Sequence, residues 1–128
     1  MKFAIDKHEK YVVIKLKESK FTNEITPKLK SEFILLNAEG FCNIIVDLSS
    51  IKECNDSQDL SSLLVGNRLC KNANGLFILT GVNSCVATLL EMSNLDQSLT
   101  IVKKLVEATD LIFMDEIEKE LLGGVERD

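Results

Sequence analysis

The sequence predicts an α/β domain with a mixed sheet of four to five strands and about four helices, in which an N-terminal hairpin precedes a βαβαβα order. Two kinds of segment alternate along the chain. Strand-like segments are apolar runs or alternate apolar with polar residues, and helix-like segments have apolar residues every three or four positions. The chain has 128 residues, of which 45% are hydrophobic. That composition suits one soluble domain with a single core over residues 1–128, whose last residues, 123–128, we expect to fray.

The N-terminal third predicts a hairpin followed by a helix. Phe3 and Ile5 are apolar and stand at alternate positions, which predicts a first strand before a charged turn. A second strand follows over residues 11–17. Pro27 is a favourable first helical residue, and Gly40 is a favourable helix end. The apolar positions between them have helical spacing, namely Leu29, Phe33 and Leu36.

The middle of the chain predicts two buried strands and two helices. The apolar run over residues 42–48 is typical of a strand covered on both faces, and it should be central in the sheet. A loop or short edge segment follows over residues 49–55. Asp56 is a suitable N-cap for the second helix, with Asp59 in its first turn, and that helix should close near Asn74. A buried strand over residues 76–79 then precedes a third helix.

Gly66 lies inside the second helix pattern. There it either lets another backbone approach closely or costs about 1 kcal/mol relative to Ala, and the sequence does not decide between these alternatives.

The C-terminal part predicts a third helix starting after Asn83 or Ser84, a short strand over residues 99–102, and a final helical segment over residues 103–122 that stops at Gly123 and Gly124. Asp115 and Glu118 also fit a fresh helix start. A break near Met114, giving two helices, is therefore an open alternative.

Charge and composition exclude several classes of partner and site. The 15 basic and 20 acidic residues give a formal net charge of −5, which argues against binding to nucleic acid. No apolar run approaches the roughly 20 residues that span a bilayer, and the N-terminus has no signal-peptide zones, so we expect a cytoplasmic protein with no membrane contact. Four scattered cysteines and one histidine predict neither a metal site nor a cofactor, and reduced, mostly buried thiols are the default.

Several stretches together resemble the anti-sigma factor antagonist (STAS) domains: residues 44–51, 55–60, 74–79, 82–86 and 89–95. The family pattern has an apolar strand ending in Asp-Leu, an Asp-Ser-Ser/Thr-Gly-Leu motif at the start of the next helix, and a Gly before the next strand. The resemblance covers most of the chain and implies a STAS-like fold. It also implies a partner-switching role in bacterial transcription control.

What the resemblance implies is a non-enzymatic protein-interaction domain. Unphosphorylated family members bind an anti-sigma factor of the histidine-kinase-like ATPase type and so release a sigma factor. Phosphorylation of the second hydroxyl residue in the motif breaks that complex, and a phosphatase resets it. A helix N-terminus accommodates a phosphate, which adds about two negative charges to a docking surface.

The motif departs from the family pattern at its phosphoacceptor. Asp56 and Ser57 match the first two positions, but Gln58 stands at the phosphorylated hydroxyl and Asp59 at the glycine. Three alternatives remain open. The domain binds its partner without being switched, or is switched through the partner alone; Ser57, Ser61 or Ser62 takes over as acceptor; or Asp59 supplies a fixed charge that partly mimics phosphate. For each single serine, a helix cap or surface role is the more common one.

The predicted docking and switch residues are Asp56, Ser57, Gln58, Asp59, Leu60 and Ser61, supported by Asp47, Asn55 and Asn83. Cys54 is either a thiol activated near a helix start or, more commonly, a small buried hydrophobe. A small-ligand or nucleotide-binding sensor domain is the alternative function, although neither Gly-rich phosphate-binding motif occurs. The sequence leaves the oligomeric state open.

Overall fold

The structure of the chain is a computed structural model that describes residues 3–22, 24–54 and 60–126, with side chains as far as residue 122. Within these residues, the strands are Phe3–Lys7 (β1), Val12–Leu16 (β2), Lys20–Phe21 (β3), Ile44–Asp47 (β4), Glu53–Cys54 (β5), Phe77–Thr80 (β6) and Thr100–Val102 (β7). The α-helices are Ile25–Ala38 (α1), Ser61–Asn72 (α2), Ser84–Met92 (α3) and Leu105–Glu126 (α4), and a 3₁₀ turn covers Leu95–Gln97.

The main sheet has the strand order β1-β2-β4-β6-β7. The β1–β2 hairpin is antiparallel, and every other pair in this sheet is parallel. In register, Val46 of β4 lies between Ile14 of β2 and Leu79 of β6. The predicted mixed sheet, the N-terminal hairpin and the central position of residues 44–47 are therefore confirmed.

Alternate residues of the strands form two separate hydrophobic clusters. Val46 and Leu79 belong to the larger one, together with the buried residues of α1, α2 and α3. Ile45 and Ile78 belong to the smaller one, in which α4 contributes Ala108 and Ile112. Because successive side chains of a strand point to opposite faces, three helices cover one face of the sheet and α4 covers the other.

Gly66 is buried where α2 crosses the larger cluster. A β-carbon at this position would lie 2.9 Å from Cε2 of Phe33 and would overlap the ring of Phe77. These two rings meet edge to face, with centroids 5.3 Å apart. A close approach therefore does require glycine at position 66, but two aromatic side chains make it, so the predicted approach of another backbone was wrong.

Helix α1 matches its prediction closely. It starts at Ile25, two residues before Pro27, and Gly40 follows it with a φ of +99°. A positive φ suits glycine because it has no Cβ to clash, so Gly40 ends the helix as predicted.

Helix α2 begins later than predicted. Its α-helical part starts at Ser61, whereas the sequence placed the N-cap at Asp56, which lies outside the described residues. Leu60 is in a 3₁₀ turn and is fully buried. An amphipathic pattern does not distinguish such a turn from the first turn of an α-helix, so the predicted boundary was wrong by several residues.

Helix α4 is one continuous helix, so the alternative of a break near Met114 is wrong. Asp115, which resembled an N-cap, instead forms an ion pair with Lys119 one turn later in the same helix. Lys119 Nζ lies 3.0 Å from Asp115 Oδ2. The predicted stop at Gly123 is also wrong, because the helix continues to Glu126. A glycine inside a helix costs only about 1 kcal/mol, so two glycines weaken a helix without necessarily ending it.

Candidate functional site

The candidate site lies at the edge of the sheet where the parallel strands β4 and β6 end. Asp47 and Thr80 are register partners at these two ends, and the amide of Leu48 extends the ladder by donating to the Thr80 carbonyl at 2.9 Å. Ligands and partners of open α/β sheets commonly meet the carboxyl ends of the strands. The predicted residues Asp47, Leu60, Ser61 and Asn83 are described here.

The other predicted docking residues, Asn55, Asp56, Ser57, Gln58 and Asp59, lie outside the described residues. Their predicted roles therefore stay predictions. We call residues 55–59 the docking segment, after the role that the sequence predicts for them. The structure defines its surroundings: the loop that leads into it, the helix that follows it, and the neighbouring β6–α3 loop.

Asp47 organises the turn after β4. Its Oδ1 accepts the amide of Ser49 at 2.9 Å, and the amide of Ile51 donates to the Leu48 carbonyl at 3.0 Å. Gly81 fits against this turn with a φ of +71°, and a β-carbon there would lie 2.9 Å from Asp47 Oδ1. Asp47 is thus a loop anchor, and Gly81 is the residue that lets the β6–α3 loop approach it.

Asn83 joins the two loops. Its Oδ1 accepts the amide of Val86 at 3.0 Å, which makes it the N-cap of α3. Its Nδ2 donates to the backbone carbonyl of Ile51, a fully buried residue. One side chain therefore both starts α3 and holds the loop that precedes the docking segment.

The loop is also held from its other side by the chain after β2. The carbonyl of Ser19 accepts the amides of Lys52 and Glu53 at 2.7 and 3.1 Å. Strands β3 and β5 then pair in parallel, with Phe21 opposite Cys54. Both of these residues are buried, so the last residue described before the docking segment is fixed in the core.

The first described residues after the segment are also anchored. Leu60 is fully buried in the larger hydrophobic cluster, and Ser61 is half-buried. Ser62 is fully buried, and its Oγ has no hydrogen-bond partner. Because a kinase needs access to the hydroxyl, the burial of Ser62 argues against it as the replacement phosphoacceptor, whereas Ser61 is more accessible.

The cysteines beside the site differ in exposure. Cys54 is buried, as expected of a small hydrophobe, whereas Cys85 at the start of α3 is exposed, and its Sγ lies 3.9 Å from the Cys54 carbonyl. Cys70 lies in α2, where burial raises the pKa of its thiol to about 12. A thiol with that pKa stays protonated and unreactive at neutral pH.

An open groove of about 340 Å³ runs between β5 and α3. It is lined by Cys54, Ser84, Cys85, Thr88, Leu89 and Met92. Across the described ranges, no three His, Cys, Asp or Glu side chains cluster as metal ligands would. Among the helices of the same ranges, none combines the length and hydropathy needed to cross a bilayer.

The architecture was compared with those of solved structures, and the sequence with known families and curated proteins. The amino-acid sequence matches no protein-family model and no curated protein. The anti-sigma factor antagonist SpoIIAA in its unphosphorylated form superposes with a TM-score of 0.72 at 18% identity, over 87% of this chain and 96% of SpoIIAA. The chain has the fold of the anti-sigma factor antagonist (STAS) domains. The resemblance indicated by the sequence is thereby confirmed.

Two further STAS-fold structures are similar at slightly higher identity. A serine-to-glutamate variant of RsbS from Moorella thermoacetica is 26% identical, with a TM-score of 0.67 over 88% of this chain and 95% of RsbS. A chain of the stressosome, described as a signal integration and transduction hub, is 25% identical, with a TM-score of 0.62 over 85% of this chain and 95% of that chain. The structural relatives are thus regulatory proteins, and SpoIIAA has also been solved in a phosphorylated form.

The sequence predicted which residues lie at this edge of the STAS fold, but it did not predict most of the contacts that they make. It singled out Asp47 and Asn83, but not the contact that joins Asn83 to Ile51, nor the roles of Ser19 and Gly81. Asn83 precedes a helix pattern, which signals a cap, and Gly81 lies in a turn, which allows a positive φ. Neither signal reveals the second loop that each residue meets.

Proposed function

We propose that the protein is a cytoplasmic, non-enzymatic regulatory domain that antagonises an anti-sigma factor in a bacterial partner-switching system. The observation that carries this proposal is the anchoring on both sides of residues 55–59. Cys54 and Leu60 are buried, and Asn83 holds Ile51 from the neighbouring loop. Fixed residues on both sides hold the ends of this segment in one place, beside the start of α2 and the β6–α3 loop.

The proposed partner is an anti-sigma factor of the histidine-kinase-like ATPase type, as the resemblance implies. We propose that it contacts Asp56, Ser57, Gln58 and Asp59 together with the described start of α2 at Ser61. Asp47 and Asn83 act as supports for the loops rather than as contacts, because their side chains already bond within the protein. Charge added near this helix start should oppose docking by repulsion and by desolvation cost.

Gln58 carries the second part of the proposal. An amide cannot accept a phosphoryl group, so switching at the usual position is disabled in this chain. Ser57 and Ser61 are the remaining acceptors nearby, since Ser62 is buried. Otherwise the switch lies in the partner alone, or Asp59 supplies the fixed charge.

Calorimetry with the purified ATPase-type anti-sigma factor of the host tests the docking surface. Gln58→Glu and Ser57→Glu should each weaken binding about tenfold, which corresponds to about 1.4 kcal/mol, with little change in unfolding midpoint. Gln97→Glu is the matched control, because it makes the same chemical change at an exposed residue of the 3₁₀ turn before β7, at the other edge of the sheet. Equal affinities for all variants, or an equal loss for Gln97→Glu, would overturn the proposal.

Restoring the family motif tests the role of Gln58. The double variant Gln58→Ser with Asp59→Gly should accept labelled phosphate from a kinase of this type. The wild type should accept none if the switch is disabled. Transfer to the wild type that is lost in Ser57→Ala or in Ser61→Ala would show instead that a neighbouring serine has taken over.

A small-ligand or nucleotide sensor is the second candidate. The groove between β5 and α3 favours it, since about 340 Å³ lies within the range of small-molecule sites. Thermal-shift measurement with nucleotides discriminates between the two. A saturable rise in melting temperature that Thr88→Trp abolishes would support the sensor.

A further inference from the structure

The outward face of α4 is apolar, although this helix already packs a different face on the sheet. Ala108 and Ile112 are its buried residues, and Ile117 lies about two and a half turns beyond Ala108, on the opposite side. We define the outer stripe as four exposed residues on that side, with their exposed fractions: Val106 (59%), Met114 (66%), Ile117 (58%) and Leu121 (69%). Phe113 is not part of the stripe, because its ring meets the Tyr11 ring edge to face with centroids 6.0 Å apart.

Most charges beside the outer stripe are negative, and the exposed basic residues near it are Lys103 and Lys104, which directly precede α4. Glu107, Asp110, Glu118 and Glu120 are the exposed charged side chains of α4 as far as residue 122. Lys119, the basic residue of that span, lies on the side facing the protein. There its Nζ is 3.0 Å from Asp115 and 3.7 Å from Glu116. The stripe is therefore an apolar surface that Asp110 interrupts between Val106 and Met114, and further carboxylates form an acidic rim beside it.

We propose that the outer stripe binds a basic amphipathic helix of another protein. Met114, Ile117 and Leu121 follow one another at steps of three and four, the spacing by which one helix meets a second along a seam. Asp110 continues this seam one step earlier, four residues before Met114. A partner helix that places apolar residues on the seam and Lys or Arg beside it would complement both the stripe and its rim.

A second copy of this chain fits less well. If α4 packed on α4 of another copy, the acidic rims would face each other, and like charges at helix interfaces repel. An anionic membrane surface would be repelled for the same reason. The stripe is also separate from the proposed docking site, because Asn43, which precedes β4 at the opposite edge of the sheet, donates to Glu116 of α4 at 2.9 Å.

Synthetic helical peptides of about three heptads provide the test. One peptide has Leu at the seam positions and Lys at the flanking positions, and its matched partner has Glu in place of every Lys. Anisotropy titration with the full chain should show saturable binding of the basic peptide and none of the acidic one. Ile117→Ser and Asp110→Lys should each weaken the basic peptide at least tenfold.

Ile34→Ser is the matched control, because Ile34 is 55% exposed on α1, on the other face of the sheet. It should leave affinity unchanged, and the circular dichroism of all variants should match the wild type. The proposal is overturned if the basic peptide does not bind or if Ile117→Ser binds it like wild type. It is also overturned if the chain alone sediments with phosphatidylserine vesicles and Ile117→Ser does not. It is also overturned if sedimentation shows a dimer that Ile117→Ser dissociates, because a second copy would then cover the stripe.

Discussion

Replacing Asn83 tests whether the loop before the docking segment is held as the structure indicates. Asn83→Ala removes two interactions at once. Losing the N-cap of α3 costs about 1 kcal/mol. The buried Ile51 carbonyl also loses its donor, which costs a further 1–3 kcal/mol or so. We therefore expect the free energy of unfolding to fall by about 2–4 kcal/mol.

Asn83→Ser separates the two interactions. Serine caps a helix about as well as asparagine but cannot reach the Ile51 carbonyl with an amide, so this variant should lose only the second contribution, about 1–3 kcal/mol. Urea unfolding measures both variants. Hydrogen exchange should show faster exchange at the amides of Ile51 and Lys52 in both. If Asn83→Ser were as stable as wild type, with unchanged exchange at Ile51, the contact between the loops would not be holding the site.

Three further predictions concern the core and the thiols. Gly66→Ala should destabilise the protein by about 1–2 kcal/mol in urea unfolding, because overpacking against Phe33 and Phe77 outweighs the helix propensity gained, and Phe77→Leu should relieve the effect. Stability should fall as pH rises from 9 towards 12, because the unfolded chain releases the Cys70 proton while the folded chain keeps it. The loss attributable to Cys70 is about 2 kcal/mol by pH 10.5, and Cys70→Ala should remove that part of the slope. In mass spectrometry at neutral pH, iodoacetamide should label Cys85 rapidly and Cys70 only after unfolding, and equal labelling of both would contradict the structure.

Periodicity predicted the elements whose buried residues follow a regular pattern within one segment. The β1–β2 hairpin, α1 with its glycine end, and the central strand at Ile44–Asp47 all follow from patterns of burial within a single segment. The start of α3 after Asn83 was predicted for the same kind of reason, since a cap residue is a local signal.

The parts that were missed depend on contacts between distant segments. Strands β3 and β5 have only two residues each and exist because Ser19 and Phe21 meet the loop after β4. The packing of α4 on the sheet depends on Ile45 and Ile78 of the central strands, and the close approach at Gly66 depends on two aromatic rings, one of them from α1 and the other from β6. A sequence pattern within one segment contains no information about such partners.

The central claim is that the beginning of α2 and the loops beside it form a recognition surface for a regulatory protein. A heteronuclear NMR titration of the labelled chain with the ATPase-type anti-sigma factor tests it most directly. We predict that shifts cluster at residues 55–62 and at the loops containing Asp47 and Asn83, and that Gln58→Glu abolishes them at matched concentrations. Shifts confined to α1 or α4, with residues 55–62 unchanged at saturation, would contradict the account.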